Sequence, residues 1–211
     1  HLDRLAREGL RFTDAHAASS LCTPSRYALL TGRYAWRGRL KQGVLQGYHP
    51  PLIEPGRVTL ASWLRAQGYA TAAVGKWHLG LDWVRTGPGL DNVDFGLPFA
   101  RGPLAHGFES FFGLSASLDM PPYVWLDGDR ATRVPTAAVA DSPPPKLWRA
   151  GPISSDFVME EVQSRLTERA VAFLAERAAS RDGRPFFLYL ALASPHTPLL
   201  PTGDYVGRSG A

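Results

Sequence analysis

The stretch DFVMEEVQSRLTERAVAFLAERAASRDGRPFFLYLALA, residues 156–193, decides the fold class. Val158, Val162, Leu166, Ala170, Phe173 and Leu174 recur at helical spacing, so 156–179 reads as a helix with one apolar face. Asp156, Glu160 and Glu161 lie early in it and Arg177 late, which complements the helix dipole. Arg181-Asp182-Gly183 then breaks the helix. FFLYLALA, at 186–193, runs apolar without alternation between Pro185 and Pro195. A run that is apolar on both faces predicts a central strand of a covered parallel sheet.

The same unit recurs upstream. TLASWLRAQ at 59–67 predicts a helix ended by Gly68, followed by a strand, YATAAV, at 69–74. Nearer the start, a helix at 2–8 ends at Gly9, and a short strand is expected around 10–15. Thr23 fits an N-cap, Pro24 the first helical position and Gly32 the stop of a further helix through YALLT. Helix–Gly–strand units in this order predict an α/β layer fold. Between Asp82 and Ser154 the pattern breaks, and 10 of the 18 prolines fall there, with PPY at 121–123 and PPPK at 143–146. That region, 82–154, is expected to be an irregular functional loop segment.

Composition narrows the classes. With 211 residues, 45% hydrophobic and 20% charged, the chain suits one large domain or part of one. Its longest apolar run, 186–193, is far short of the roughly 18 residues needed to cross a bilayer, so no membrane span is expected. The net charge of +4 comes from 20 Arg and three Lys, scattered and without interleaved aromatics, which argues against a nucleic-acid surface. One cysteine excludes an intramolecular disulfide framework and a cysteine-based zinc cluster. HLDRLAREGLRF opens inside a helix and DYVGRSGA closes without an element, so both ends read as cut from a larger domain.

Ligands of open α/β sheets bind beyond the carboxyl ends of strands. Three polar segments occupy that place. SSLCTPSR presents Cys22 and Arg26, AVGKWHLG presents Lys76 and His78, and ASPHTP presents His196. Cys22 stands at a helix N-terminus, where a thiolate or another anion is favoured. Arg26 falls near the third helical position, where the dipole disfavours a cation unless an anion lies between them. The plainer readings are a buried small cysteine and an arginine paired with a surface carboxylate. Lys76 and His78 are two apart and point the same way if extended, which suits anion binding with proton transfer. Otherwise they sit in a solvated turn, with Trp77 and Leu79 packed inward. His196, stiffened by Pro195 and Pro198, suits an acid, base or ligand.

These residues carry a resemblance. CTPSRYALLTGR resembles the first signature of the type I, formylglycine-dependent sulfatases of the alkaline phosphatase superfamily, and VGKWHLG at 74–80 resembles the second. SPHTP at 194–198 and HGFESFFG at 106–113 are also similar to family segments, so the likeness covers nearly the whole chain. The resemblance implies a mixed, mostly parallel sheet flanked by helices. It implies a sulfuric ester hydrolase, arylsulfatase-like, in which a maturation enzyme converts Cys22 to formylglycine. It further implies that Arg26 holds the hydrated aldehyde and that His78 is a base. Lys76 and His196 would bind sulfate oxygens and help protonate the leaving oxygen, and Ser117 would contact substrate. A calcium ion, or another divalent cation, is implied with Cys22 as a ligand once oxidised. Its carboxylate ligands in the family lie on segments outside residues 1–211, and at least one central strand is expected to be missing. Export to the periplasm or beyond is implied in the same way. A phosphonate monoester or phosphodiester hydrolase, or an inactive fragment, are the alternatives left open by the residues.

Overall fold

The computed structural model describes residues 1–144 and 146–208; Pro145, within the PPPK run, and residues 209–211 at the end of DYVGRSGA lie outside the described residues. Four helices, α1 (Leu2–Glu8), α2 (Cys22–Thr31), α3 (Leu60–Ala66) and α4 (Val162–Ala179), accompany seven strands. The strands are β1 (Ala70–Lys76), β2 (Ser110–Leu114), β3 (Leu126–Asp127), β4 (Arg130–Ala131), β5 (Ala137–Val139), β6 (Gly151–Ile153) and β7 (Phe186–Ala191). Five form a mixed sheet in the order β4-β3-β2-β1-β7, in which β2, β1 and β7 are parallel. The expected α/β sheet is present. β5 and β6 pair separately.

Two cores lie on the sheet's two faces. Alternate residues of β1 and β2 divide between them: Ala73 and Phe111 join Tyr27, Leu30 and Ala61 from α2 and α3, while Val74 and Phe112 join Leu166 and Ala170 from α4. This period of two is what a strand covered on both faces requires. α3 is fixed at its start by reciprocal bonds between Thr59 and Ser62, which satisfy two otherwise orphaned N–H groups.

Several expectations need correction. Residues 10–15 form no strand and are exposed, since no neighbouring strand receives them among the described residues. α4 begins at Val162, preceded by a 3-10 turn at Met159–Glu161, so the helix starts six residues after Asp156. Asp156 instead takes Ser154 and Thr132 hydroxyls on its carboxylate, which holds it out of the helix. The 186–193 run makes the strand β7, but that strand is an edge of the sheet among the described residues, with Phe186 and Leu190 exposed. The irregular region contains a central strand, β2, within HGFESFFG.

Two glycines set how closely the strands meet at their carboxyl ends. A Cβ at Gly113 would lie 1.8 Å from the Gly75 carbonyl oxygen, and one at Gly75, whose φ is 118°, would lie 2.1 Å from that of Ala191. Only glycine fits both places. The close approach brings the ends of β2, β1 and β7 together beside α2.

Candidate active site

At those strand ends the three predicted segments meet. A surface cleft of about 430 Å³ is lined by Ser20, Cys22, Ser25, Arg26, Tyr189 and His196, among others. Cys22 is the first residue of α2 and is half-buried, with Leu21 rather than Thr23 at the N-cap. Thr23 cannot cap because its hydroxyl donates to the His78 carbonyl and accepts from the Leu45 N–H. It ties the helix start to the turn after β1 instead. Pro24 is accordingly third in the helix and Arg26 fifth, two residues further in than the sequence suggested. No side chain caps the first turn, so its N–H groups remain available to an anion.

Arg26 has no carboxylate within salt-bridge distance among the described residues. Its Nη1 donates to the Lys76 carbonyl at 2.5 Å and to the Tyr189 hydroxyl at 3.3 Å, while its Nε is buried without a partner. The surface-pair reading therefore fails. The guanidinium is anchored inward, between β1 and β7.

Lys76 is 2% exposed and His78 fully buried, so the solvated-turn reading fails as well. Trp77 and Leu79 do pack inward, into the core on the α2 side. Strand alternation is not what aligns the pair, because β1 ends at Lys76 and His78 has a φ of 58°, in the left-handed region. Burial lowers the Lys76 ammonium pKa, and Arg26 adds to that, while Cys22 and Asp119 act in the opposite direction. His78 is pushed down to about 3, first by burial and then by the nearby positive charge of Lys76. Its Nε2 lies 2.6 Å from the Leu45 carbonyl oxygen, which can only accept. The proton is therefore on Nε2, and Nδ1 keeps a lone pair that is buried and unpartnered.

His196 lies in the turn after β7, its side chain partly exposed. Its Nδ1 is 2.7 Å from the Thr197 carbonyl oxygen, so Nδ1 carries the proton and Nε2 is free for the cleft. Ser117, in the turn after β2, is buried with an unpartnered hydroxyl and does not line the cleft. Two residues on, Asp119 has an oxygen 3.8 Å from His196 Nδ1.

The residues at the cleft do not fit a calcium ion. Such an ion takes about six to eight oxygen ligands, whereas here Arg26, Lys76 and His78 cluster behind Cys22 and the Asp119 carboxylate is tied to Arg149. No group of three or more His, Cys, Asp or Glu that could hold a metal ion occurs among the described residues.

Comparison with known proteins shows the family. The family model described as Sulfatase matches residues 1–210. An N-acetylgalactosamine-6-O-sulfatase of Bacteroides thetaiotaomicron is 31% identical across all of this chain. The chain belongs to the sulfatase family. Arylsulfatase A of Bos taurus is 37% identical over the whole chain. The chain spans less than half the length of these relatives, 46% and 39% respectively. A solved structure described as a 6S-sulfatase from a glycosaminoglycan-metabolising locus of B. thetaiotaomicron superposes with a TM-score of 0.80 at 30% identity, covering 99% of this chain and 48% of that one. A Pseudoalteromonas sulfatase shares the fold at 23% identity, with a TM-score of 0.66 over 99% of this chain and 40% of that one.

Within this sulfatase chain, sequence reasoning missed Tyr189 and Asp119. Tyr189 is the one polar-tipped side chain in FFLYLALA, an available but weak signal. Asp119 stands in the same GLSASLD segment as Ser117, and nothing in the spacing distinguished it. No helix among the described residues is long and apolar enough to cross a membrane.

Proposed function

We propose that this chain carries the nucleophile side of a site that hydrolyses sulfate monoesters, with Cys22 converted to formylglycine. One observation carries the reading: half-buried Arg26 and buried Lys76 stand behind Cys22 at a helix start that no side chain caps, with no carboxylate in salt-bridge contact with either among the described residues. Positive groups in a partly desolvated place favour a tetrahedral anion and the charge that develops on it.

A hydrated formylglycine at position 22 would supply two oxygens on one carbon, one to bond sulfur and one to give up its proton so that sulfate can leave. Arg26 orients this carbon, its guanidinium fixed by the Lys76 carbonyl and the Tyr189 hydroxyl. The Lys76 ammonium balances charge on the sulfuryl oxygens. His196 donates a proton from Nε2 to the bridging oxygen as its bond to sulfur breaks. His78 accepts the later proton at Nδ1, being neutral and unpartnered there. The free Ser117 hydroxyl is assigned to substrate binding.

Family membership implies a divalent cation in general. This chain would offer it only the oxidised Cys22; the other ligands are assigned outside residues 1–211, and no step above passes through the ion. The proposed partners are a sulfate ester substrate and a formylglycine-generating maturation enzyme, and the proposed location is the periplasm or beyond. The names of the relatives support sulfate ester as the substrate class.

The test uses the full-length protein expressed with the maturation enzyme. The peptide containing Cys22 should lose one sulfur and two hydrogens and gain one oxygen by mass. The protein should also turn over an aryl sulfate in preference to an aryl phosphonate. An intact thiol, or a clear phosphonate preference, would contradict the proposal.

A further inference from the structure

One buried charge close to the cleft has no role in the steps above. Asp119 is 9% exposed. Its Oδ2 accepts from Arg149 Nη1 at 2.7 Å, while its Oδ1 is buried and makes no hydrogen bond. Leaving a buried carboxylate oxygen unpaired is unfavourable, so a partner is expected in some state of the site. His196 Nδ1 lies 3.8 Å from Oδ1.

Asp119 cannot easily turn away. The Arg149 backbone N–H donates to the Asp119 carbonyl at 3.1 Å, and the Arg149 carbonyl accepts from the buried Tyr123 hydroxyl at 2.7 Å. Side chain and backbone of Arg149 thus hold one residue of the β2 turn from two directions. Such rigid support is what a positioning group requires.

His196 stands among charged and polar groups from several elements. Cys22 and Arg26 on α2 line the cleft with it, and Tyr189 faces it from β7. Lys76 at the end of β1 and the neutral His78 just after it lie behind the cleft. Asp119 is the carboxylate within 4 Å of the His196 ring among the described residues. A carboxylate that takes Nδ1–H holds the ring in one orientation, with Nε2 facing the substrate.

We propose that Asp119, braced by Arg149, is the positioning residue for His196: its Oδ1 takes over Nδ1–H from the Thr197 carbonyl, which accepts from Nδ1 at 2.7 Å, so that Nε2–H can protonate the leaving oxygen. In this step the S–O bond to the alcohol breaks, its electron pair goes to the alcohol oxygen, and the proton on Nε2 moves to that oxygen. The proposal rests on the sulfate ester reading and gives His196 the role of proton donor within it.

The test is leaving-group dependence in the matured full-length protein. An alkyl sulfate needs its leaving oxygen protonated, whereas a nitrophenyl sulfate has a stable anionic leaving group. Asp119→Asn should lower kcat for the alkyl ester by about 30-fold or more and for the nitrophenyl ester by less than about 3-fold, since general acid catalysis contributes roughly 10²–10⁴. Equal losses on both esters, or none, would overturn the proposal, because a brace for the loop alone affects both alike. Arg149→Met, at a half-exposed side chain outside the cleft, should give a smaller split in the same sense and serves if Asp119→Asn fails to fold. If the wild type cleaves neither ester, the functional reading fails, and ring-nitrogen NMR of His196 decides on Asp119 separately. Asp119→Asn should then move the Nδ1 resonance, and an unmoved resonance would overturn the assignment.

Discussion

β1 and β7 are neighbours, parallel and similarly apolar, yet their surroundings differ. All seven residues of β1 are buried, whereas of the six in β7 only Ala191 is. β1 has β2 on one side and β7 on the other, with α3 and α4 packed across its faces. β7 pairs with β1 alone among the described residues. Apolarity therefore reports the cover a strand requires and leaves its place in the sheet undecided. Tyr189 and His196, from the open side, line the cleft, while Lys76 and His78, from the enclosed side, lie buried behind it.

Stability should break along the same line. Leu166→Ala, on α4 beneath the β1 side and fully buried, is expected to cost roughly 2–5 kcal/mol by lost burial and a cavity. Leu190→Ala, on β7 and 44% exposed, is expected to cost less than about 1 kcal/mol, since surface substitutions are usually mild. Denaturant unfolding of the full-length protein measures both. Equal costs would remove the distinction between the strands.

Activity gives the next largest contrast. Lys76→Ala should lower kcat/KM for an aryl sulfate by about 10²–10³-fold, the usual loss when a preorganised charge-stabilising donor is removed. Steady-state kinetics on the matured protein checks this, and a loss within a few-fold would move the charge-balancing role elsewhere.

A pH dependence follows from the enclosed histidines. His78 is pushed down to about 3 and His106 to about 4, both chiefly by burial. Below the ordinary histidine pKa of about 6.5 the unfolded chain binds protons that the folded chain does not. Stability is therefore complete above about pH 6.5 and declines as pH falls towards 4 and then 3, by about 1.4 kcal/mol per pH unit for each histidine while it remains neutral in the fold. Unfolding midpoints between pH 7 and 5 measure the slope, and His106→Gln should reduce it.

The smallest effect lies on the open side. Tyr189→Phe removes the hydroxyl that accepts from Arg26 and should cost about 0.5–1.5 kcal/mol in transition-state stabilisation, several-fold in kcat/KM. A loss as large as that of Lys76→Ala would mean that Arg26 depends on β7 more than on the Lys76 carbonyl.

Much of this arrangement could be read in the sequence because its signals are local. Helical spacing marked α4, Gly32 and Gly68 marked helix ends, and the site residues sit at element ends or early in a helix: Cys22 and Arg26 in the first half of α2, Lys76 at the end of β1 and His196 after β7. Non-local features were harder to read. β2 escaped notice because its pairing with β1 depends on Gly75 and Gly113 meeting across the sheet, and prolines around it imitate a loop. Thr23 reads as a cap from its neighbours, but His78 and Leu45 take its hydroxyl. Asp119 became notable only through an oxygen left unpaired beside a histidine 77 positions away in sequence.

The central claim is that the cleft at Cys22 hydrolyses sulfate esters through that residue once it is modified. Sulfate release from an aryl sulfate, compared between the matured full-length protein and its Cys22→Ala variant, tests it most directly. The account predicts turnover by the former and a loss of at least about 10³-fold in the latter, as expected when a nucleophile is removed. Retention of activity within a few-fold by Cys22→Ala would contradict it.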